Sequence, residues 1–335
     1  MQAMGQDEAW LAGKLEAVVR RAFPGATIAS LRRLTGGASL QTWRFDAIVD
    51  GAFHRLILRC RPEGVAPLMN AVSLATEAAV IAAAGANGVP VASIRIVLEA
   101  ADGLGEGFIA DFVEGETVPR RILRDAAFAT LRDTMVASCG AILARVHALT
   151  MDEPLARLTA VEQLDSMEES YRSRTMRNPV FDYAFRWLRE RMPAPPAALS
   201  LVHGDFRMGN LLVGPDSIRA VLDWELVHLG DPAEDFGWLT VNSWRFGNID
   251  RPVAGLGQVE EILDAYADET GIAMSLERVL YWRALGSLRW GIGAGEMADA
   301  FSHGADRSVE RGMIGRRISE TEVDLLDIVA PRRVA

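Results

Sequence analysis

Residues 201–225 constrain the fold more than any other stretch. Leu201 and Val202, an apolar pair with strand character, run directly into His203-Gly204-Asp205-Phe206-Arg207-Met208-Gly209-Asn210. A buried strand that ends in so many polar groups leads into either a surface turn or a reactive loop. Asp205 and Asn210 are five positions apart. A short hairpin is predicted next, strands 211–213 and 218–224 about the turn Gly214-Pro215-Asp216. It folds Asp223, thirteen positions beyond Asn210, back toward the loop. Two carboxylates and an amide oxygen then converge. Oxygen donors in that number suit Mg²⁺, which keeps several waters and shares itself with substrate phosphates. A carboxylate left off the metal can accept a proton from an attacking hydroxyl.

The rest of the chain falls into two parts. Leu11, Leu15, Val18, Val19 and Phe23 have helical spacing within 7–23. A strand is predicted over 26–34, ending in Thr35-Gly36-Gly37-Ala38-Ser39. Strands over 40–49 and 53–60 follow, joined by Asp50-Gly51, a hairpin signal. An Ala-rich helix over 73–84 starts at the N-cap candidate Ser73 and stops at Gly85 and Gly88. Two further strands lie at 93–99 and 107–112. After Glu114-Gly115 long helical patterns occupy 121–149 and 159–191. A linker-like break at 192–200 precedes the polar loop, and helices resume to the end, with Ser319 and Glu322 spaced as a capping box. The expected class is α+β: a small antiparallel β-rich lobe (1–112), a connector (113–116) and a larger, mainly helical lobe (117–335).

Composition excludes several functions. A net charge of −10 argues against a nucleic-acid partner, whose phosphates need a basic face. Cys60 and Cys139 cannot form a disulfide framework and read as buried free thiols of a reducing compartment. The first residues carry acidic groups and no apolar core of a signal peptide, and the most apolar stretch, 78–84, is too short to span a bilayer. The expectation is a cytoplasmic protein with no membrane partner. Five histidines without clustering argue against a metallophosphoesterase, and the absence of G-x-S-x-G argues against a serine hydrolase. Lys14 is the single lysine; the other 34 basic residues are arginine. Composition leaves the oligomeric state open.

The His-Gly-Asp-Phe-Arg-Met-Gly-Asn stretch with Leu222-Asp223-Trp224-Glu225 resembles the aminoglycoside phosphotransferase and choline kinase superfamily, distant relatives of protein kinases. The resemblance implies a bilobal protein-kinase-like fold. It makes Asp205 the catalytic base, Asn210 and Asp223 the Mg²⁺ ligands, and Arg207 a cation in reach of the transferred phosphate. Gly36, Gly37 and Ser39, with Thr42, match the phosphate-covering loop. In Leu56-Ile57-Leu58-Arg59, Arg59 takes the place of the usual lysine on the third strand, and Glu77 is its implied carboxylate partner. Phe112 and Val113 match the hinge whose backbone reads a nucleotide base, ATP or GTP. His203, Asp231, Asp235 and His147 read as structural. Glu225 reads as bonded to backbone or a basic neighbour, with a water-mediated reach to the metal as the alternative. The Leu-Arg variant resembles kinase-like domains fused to acyl-CoA dehydrogenases. The implied activity is transfer of a γ-phosphate to a hydroxyl of a small molecule; the competing implication is a nucleotide-binding pseudokinase or scaffold.

The acceptor is less constrained. Glu162, Asp165, Glu168 and Glu169 supply acid, but Arg172, Arg174, Arg177 and Arg186 follow closely. That mixture suits an acceptor with its own carboxylate or phosphate, such as a hydroxyacyl compound, better than a polycationic antibiotic. Trp187, Trp238, Trp244, Trp282 and Trp290 read as core residues or as the lining of an apolar or choline-type pocket.

Overall fold

The computed structural model describes residues 2–34, 40–61, 64, 65, 67, 70–174, 177–305 and 308–331, with side chains from residue 9 onward. The loop 35–39, and with it Gly36, Gly37 and Ser39, lies outside the described residues. In chain order the first elements are α1 (Gln2–Val19), β1 (Thr27–Leu34), β2 (Gln41–Val49), β3 (Ala52–Arg61), α2 (Leu74–Ala86), β4 (Ile94–Val97) and β5 (Glu106–Asp111). Then come α3 (Pro119–Arg124), α4 (Ala129–His147), α5 (Ala160–Arg172), α6 (Pro179–Glu190), β6 (Ser200–Val202), β7 (Leu211–Val213), β8 (Ile218–Val221) and β9 (His228–Gly230). The last are α7 (Ala233–Leu239), α8 (Val259–Thr270), α9 (Leu276–Ser302), α10 (Val309–Gly315) and α11 (Ile318–Val329).

The first compact unit comprises residues 1–115, 151–155 and 219–227. Its sheet has the order β1-β2-β3-β5-β4, each neighbouring pair antiparallel. β2 and β3 close tightly on Asp50 and Gly51, whose φ values of +49° and +80° fit the primed turn that matches strand twist. The period of two along these strands decides what each face carries. Trp43, Phe45 and Ala47 of β2 and Leu56, Leu58 and Cys60 of β3 are buried against Leu11, Leu15, Val18 and Val19 of α1. Arg59, out of phase with Leu58 and Cys60, falls on the opposite face. The contiguous division read from sequence omits the two later segments. Val221 N–H donates to the Pro90 carbonyl and Val72 N–H to the Glu225 carbonyl, both at 2.8 Å, so residues 219–227, including Asp223, fold with the first unit.

The second unit comprises residues 116–150, 156–218 and 228–335. α7, only seven residues long, packs on α9 through Gly237, where an added Cβ would lie 2.5 Å from backbone and side-chain carbons of Trp282. Gly237→Ala therefore forces the two helices apart, and we expect it to lower stability by about 2 kcal/mol or more in chemical denaturation. β6 pairs antiparallel with β9, setting Val202 opposite His228. Phe185, Trp282, Leu285, Leu288 and Leu325 form the centre of this unit's core.

Three expectations change. The pattern over 159–191 is two helices, because Pro179 opens α6 with Asn178 as its N-cap and cannot continue α5. Residues 121–149 likewise divide into α3 and α4. Ser319 lies inside α11 instead of capping it, and the Glu322 carboxylate accepts a hydrogen bond from Asn178 Nδ2 at 2.6 Å. The reading also passed over 126–147, a run apolar and long enough to cross a membrane by composition. Here it forms a packed helix, with Leu131, Met135, Cys139, Leu143 and Val146 buried. Cys60 and Cys139 are free and buried, and burial pushes their thiols up to about 11 and about 12. Neither will be alkylated by iodoacetamide at pH 8 in the folded protein, and both will react once it is unfolded.

Candidate active site

Within the first unit, one guanidinium gathers three carboxylates. Arg59 Nη2 lies 2.6 Å from Asp223 Oδ1, 3.5 Å from Glu77 Oε1 and 3.7 Å from Glu225 Oε2. Strand alternation delivers Arg59, and α2 delivers Glu77, whose side chain is 1% exposed. Asp223 has φ +66°, a left-handed conformation that Asp tolerates better than most residues. The two partners titrate unequally. Burial lowers the Arg59 pKa, but Glu77, Asp223 and Glu225 together hold it above the ordinary arginine value. Burial pushes Glu77 up to about 7 against the attraction of Arg59, with Asp223 and Glu225 adding to the rise. The asymmetry is physical: one cation serves three anions, and its close contact goes to Asp223.

Phe112 and Val113, the expected hinge residues, differ in what they leave free. Phe112 N–H donates to the Arg55 carbonyl at 2.9 Å, so it extends the sheet and is spent. Its ring lies under the Arg44 guanidinium, 4.6 Å away. The base-reading role expected of Phe112 is therefore limited to its carbonyl. Val113 has no backbone hydrogen bond to another described residue.

Within the second unit, Asp205 and Asn210 come together on the loop after β6. Gly204 takes φ +79°, which turns the chain sharply out of the strand. The buried Asp235 carboxylate accepts the N–H groups of His203 at 2.9 Å and Gly204 at 3.0 Å, and pairs with His147 Nε2 at 3.1 Å. Burial raises the Asp235 pKa, but the bonds from His147 and His203 outweigh that and hold it below the ordinary value. Asp205 N–H donates to His203 Nδ1 at 3.2 Å. Asn210 Nδ2 donates to the Asp205 carbonyl at 2.9 Å and to Oδ2 at 2.6 Å. Arg207 Nε donates to Asp205 Oδ1 at 3.0 Å, with its guanidinium 4.7 Å from the Trp244 ring centre.

One partner of Asp205 had no signal in the loop itself. Trp238 Nε1 donates to Asp205 Oδ1 at 2.6 Å. Trp238, Trp244 and the partly buried Trp290 form a small aromatic cluster, while Trp187 and Trp282 belong to the main core. A period-based reading sees five apolar side chains and has no means of telling which indole N–H meets a carboxylate. Asp231 accepts from Ala233 N–H at 3.0 Å and pairs with Arg278 at 2.7 Å. The charges considered for the acceptor are largely self-paired: Glu162 caps α5 with Thr159, Asp165 and Glu168 bind Arg189, and Arg174 binds Glu296.

The sequence pattern of the phosphotransferase enzyme family matches residues 30–271. The chain belongs to that family. Acyl-CoA dehydrogenase family member 10 of Mus musculus is 27% identical over 243 residues, covering 66% of this chain and 22% of its own length. Acyl-CoA dehydrogenase family member 11 of Pongo abelii is 25% identical over 301 residues, covering 83% of this chain and 36% of its own. This phosphotransferase-family chain thus spans only a fraction of each relative. Among solved structures, a Ralstonia eutropha protein assigned as an aminoglycoside phosphotransferase superposes with a TM-score of 0.73 at 20% identity, over 95% of this chain and 97% of that one. A choline/ethanolamine kinase family protein of Mesorhizobium loti gives 0.62 at 20% identity, over 93% and 94%. An aminoglycoside phosphotransferase in ternary complex with ADP and hygromycin B gives 0.60 at 14% identity, over 95% and 99%. At these identities the likeness is one of fold, the kinase-like α+β arrangement.

Proposed function

We propose that this chain transfers the γ-phosphoryl group of ATP or GTP to a hydroxyl of a small molecule. The observation that carries the reading is the Asp205–Asn210 pair on a loop braced from below by Asp235. In the proposed reaction the acceptor oxygen forms a bond to the γ-phosphorus while the bond from that phosphorus to the β–γ bridging oxygen breaks. The acceptor's proton passes to Asp205, and the nucleoside diphosphate leaves. Arg207 and Arg59 offset phosphate charge. Such catalysis is mostly positioning and electrostatics.

The residues fit Mg²⁺. In the second unit Asn210 commits its Nδ2 to Asp205, which frees Oδ1 for a cation; in the first, Asp223 offers a carboxylate that is 29% exposed; each by itself is an oxygen donor of the kind Mg²⁺ takes. Among the described residues no group of three or more His, Cys, Asp or Glu forms a metal cage. The proposed cation would be held by one or two protein oxygens together with substrate phosphates. When bound, Mg²⁺ neutralises the phosphate charge that develops during transfer.

Nucleotide binding and small-molecule phosphorylation draw support from the ADP and hygromycin B complex of a structural neighbour. The acceptor expected here is uncharged or anionic, since Glu162, Asp165 and Glu168 near α5 are already paired. Two buried free thiols suit a reducing cytoplasm. The test is a phosphorylation screen with Mg²⁺ and radiolabelled ATP or GTP over amino sugars, choline-like alcohols and hydroxyacyl thioesters. Transfer to any of them supports the reading, and activity confined to aminoglycosides would overturn the acceptor preference. Thermal stabilisation by Mg·ATP without transfer or hydrolysis would instead favour the scaffold reading, which the Arg59–Asp223 ion pair keeps open.

A further inference from the structure

We propose that Trp238 is a positioning residue that dictates which oxygen of Asp205 receives the acceptor's proton. The inference rests on the reading of Asp205 as the base. A carboxylate oxygen has two acceptor positions. Both positions on Oδ1 are filled, by Arg207 Nε at 3.0 Å and Trp238 Nε1 at 2.6 Å. Among the described residues Oδ2 accepts only Asn210 Nδ2, at 2.6 Å, and so keeps one position open. The acceptor hydroxyl therefore approaches Oδ2, on the side of Asn210.

The indole is itself fixed. Trp238 is 6% exposed and meets Trp244 edge-on, ring centres 5.3 Å apart. The Arg289 guanidinium lies over its ring, 3.8 Å from the ring centre, and Arg289 Nη2 donates to the Gly204 carbonyl at 2.8 Å. One arginine thus ties the indole to the residue immediately before Asp205. A side chain with a short bond to Oδ1, locked by packing and linked to the loop backbone, prevents the carboxylate from rotating and exchanging its two oxygens.

Trp238→Phe keeps an aromatic ring and removes the N–H. We expect kcat per folded molecule to fall about tenfold, with KM for the nucleotide unchanged within about twofold. Trp290→Phe is the matched control. Its Nε1 is buried without a partner among the described residues, so losing that N–H leaves the Asp205 bonds intact and kcat within about twofold of the parent. A second readout needs no activity. The indole N–H resonance of Trp238, identified by its loss in Trp238→Phe, moves in the ¹H–¹⁵N spectrum of Asp205→Ala. An unmoved resonance, or a Trp238→Phe kcat within twofold of the parent, overturns the inference. A parent protein that transfers no phosphate overturns the proposed function instead, while the spectrum still reports on the bond.

Discussion

Asp205→Ala abolishes γ-phosphate transfer, by at least about 10³-fold in kcat, while leaving a folded protein. General-base groups contribute on the order of 10²–10⁴-fold, and the proposed base is also the group around which the loop is organised. Asp205 receives hydrogen bonds from Arg207, Trp238 and Asn210, so alanine leaves three donors without their acceptor. Its side chain is 14% exposed, which lets water replace part of what is lost, and the expected stability change is about 1–2 kcal/mol. Asp205→Asn is less informative than it looks. An amide placed with its oxygen toward Trp238 and Arg207 turns its NH₂ toward Asn210 Nδ2, donor against donor. Asn210 must then rotate, which disturbs the proposed metal ligand as well as the base. Transfer of radiolabelled phosphate, measured beside thermal denaturation, separates these effects. An Asp205→Ala protein as active as its parent would refute the mechanism.

The loop, the hairpin signal at Asp50-Gly51 and the β-rich and helical halves were legible because each rests on local chemistry: glycine at positive φ, period-two strands, polar residues after an apolar pair. Arg59 and Glu77 were legible through resemblance alone, since nothing local in Leu-Arg or in an Ala-rich helix specifies a partner. What escaped is tertiary. The return of residues 219–227 to the first unit depends on backbone bonds from Val221 to Pro90 and from Val72 to Glu225, which no periodicity records. The Phe112 N–H, read as a nucleotide contact, is consumed by a hydrogen bond to the Arg55 carbonyl of the neighbouring strand. Trp238 is the sharpest case. Its position on α7 follows from the adjacent Gly237 pressing against Trp282 of α9, so a close approach between two helices far apart in sequence decides where an indole donor points.

Arg59→Met is the second large effect, and its sign depends on pH. For activity the expectation is simple: kcat/KM falls at least about 100-fold, because the cation proposed to offset the nucleotide phosphates is gone. For stability, removing one member of a buried ion pair costs about 3–5 kcal/mol when the other charge remains. Glu77 can avoid that cost by taking a proton. In the parent, without nucleotide or metal, its carboxyl titrates at about 7, above the ordinary glutamate value. Between about pH 4.5 and 7 the folded parent therefore binds more protons than the unfolded chain, and its stability falls as pH rises through that window. Loss of Arg59 removes the larger attraction holding Glu77 ionised and leaves the Trp224 backbone hydrogen bond against the repulsion of Asp223 and Glu225, so the titration moves higher still. Above pH 7 the folded variant then holds one proton that the folded parent has released. The stability gap between them widens by up to about 1.4 kcal/mol per pH unit. Urea denaturation at pH 6, 7 and 8.5 should show a small gap growing toward alkaline pH, and Glu77→Gln should remove the parent's decline between pH 4.5 and 7. A gap independent of pH would mean that Glu77 stays ionised in the variant, and that Arg59 is replaceable by water at this carboxylate.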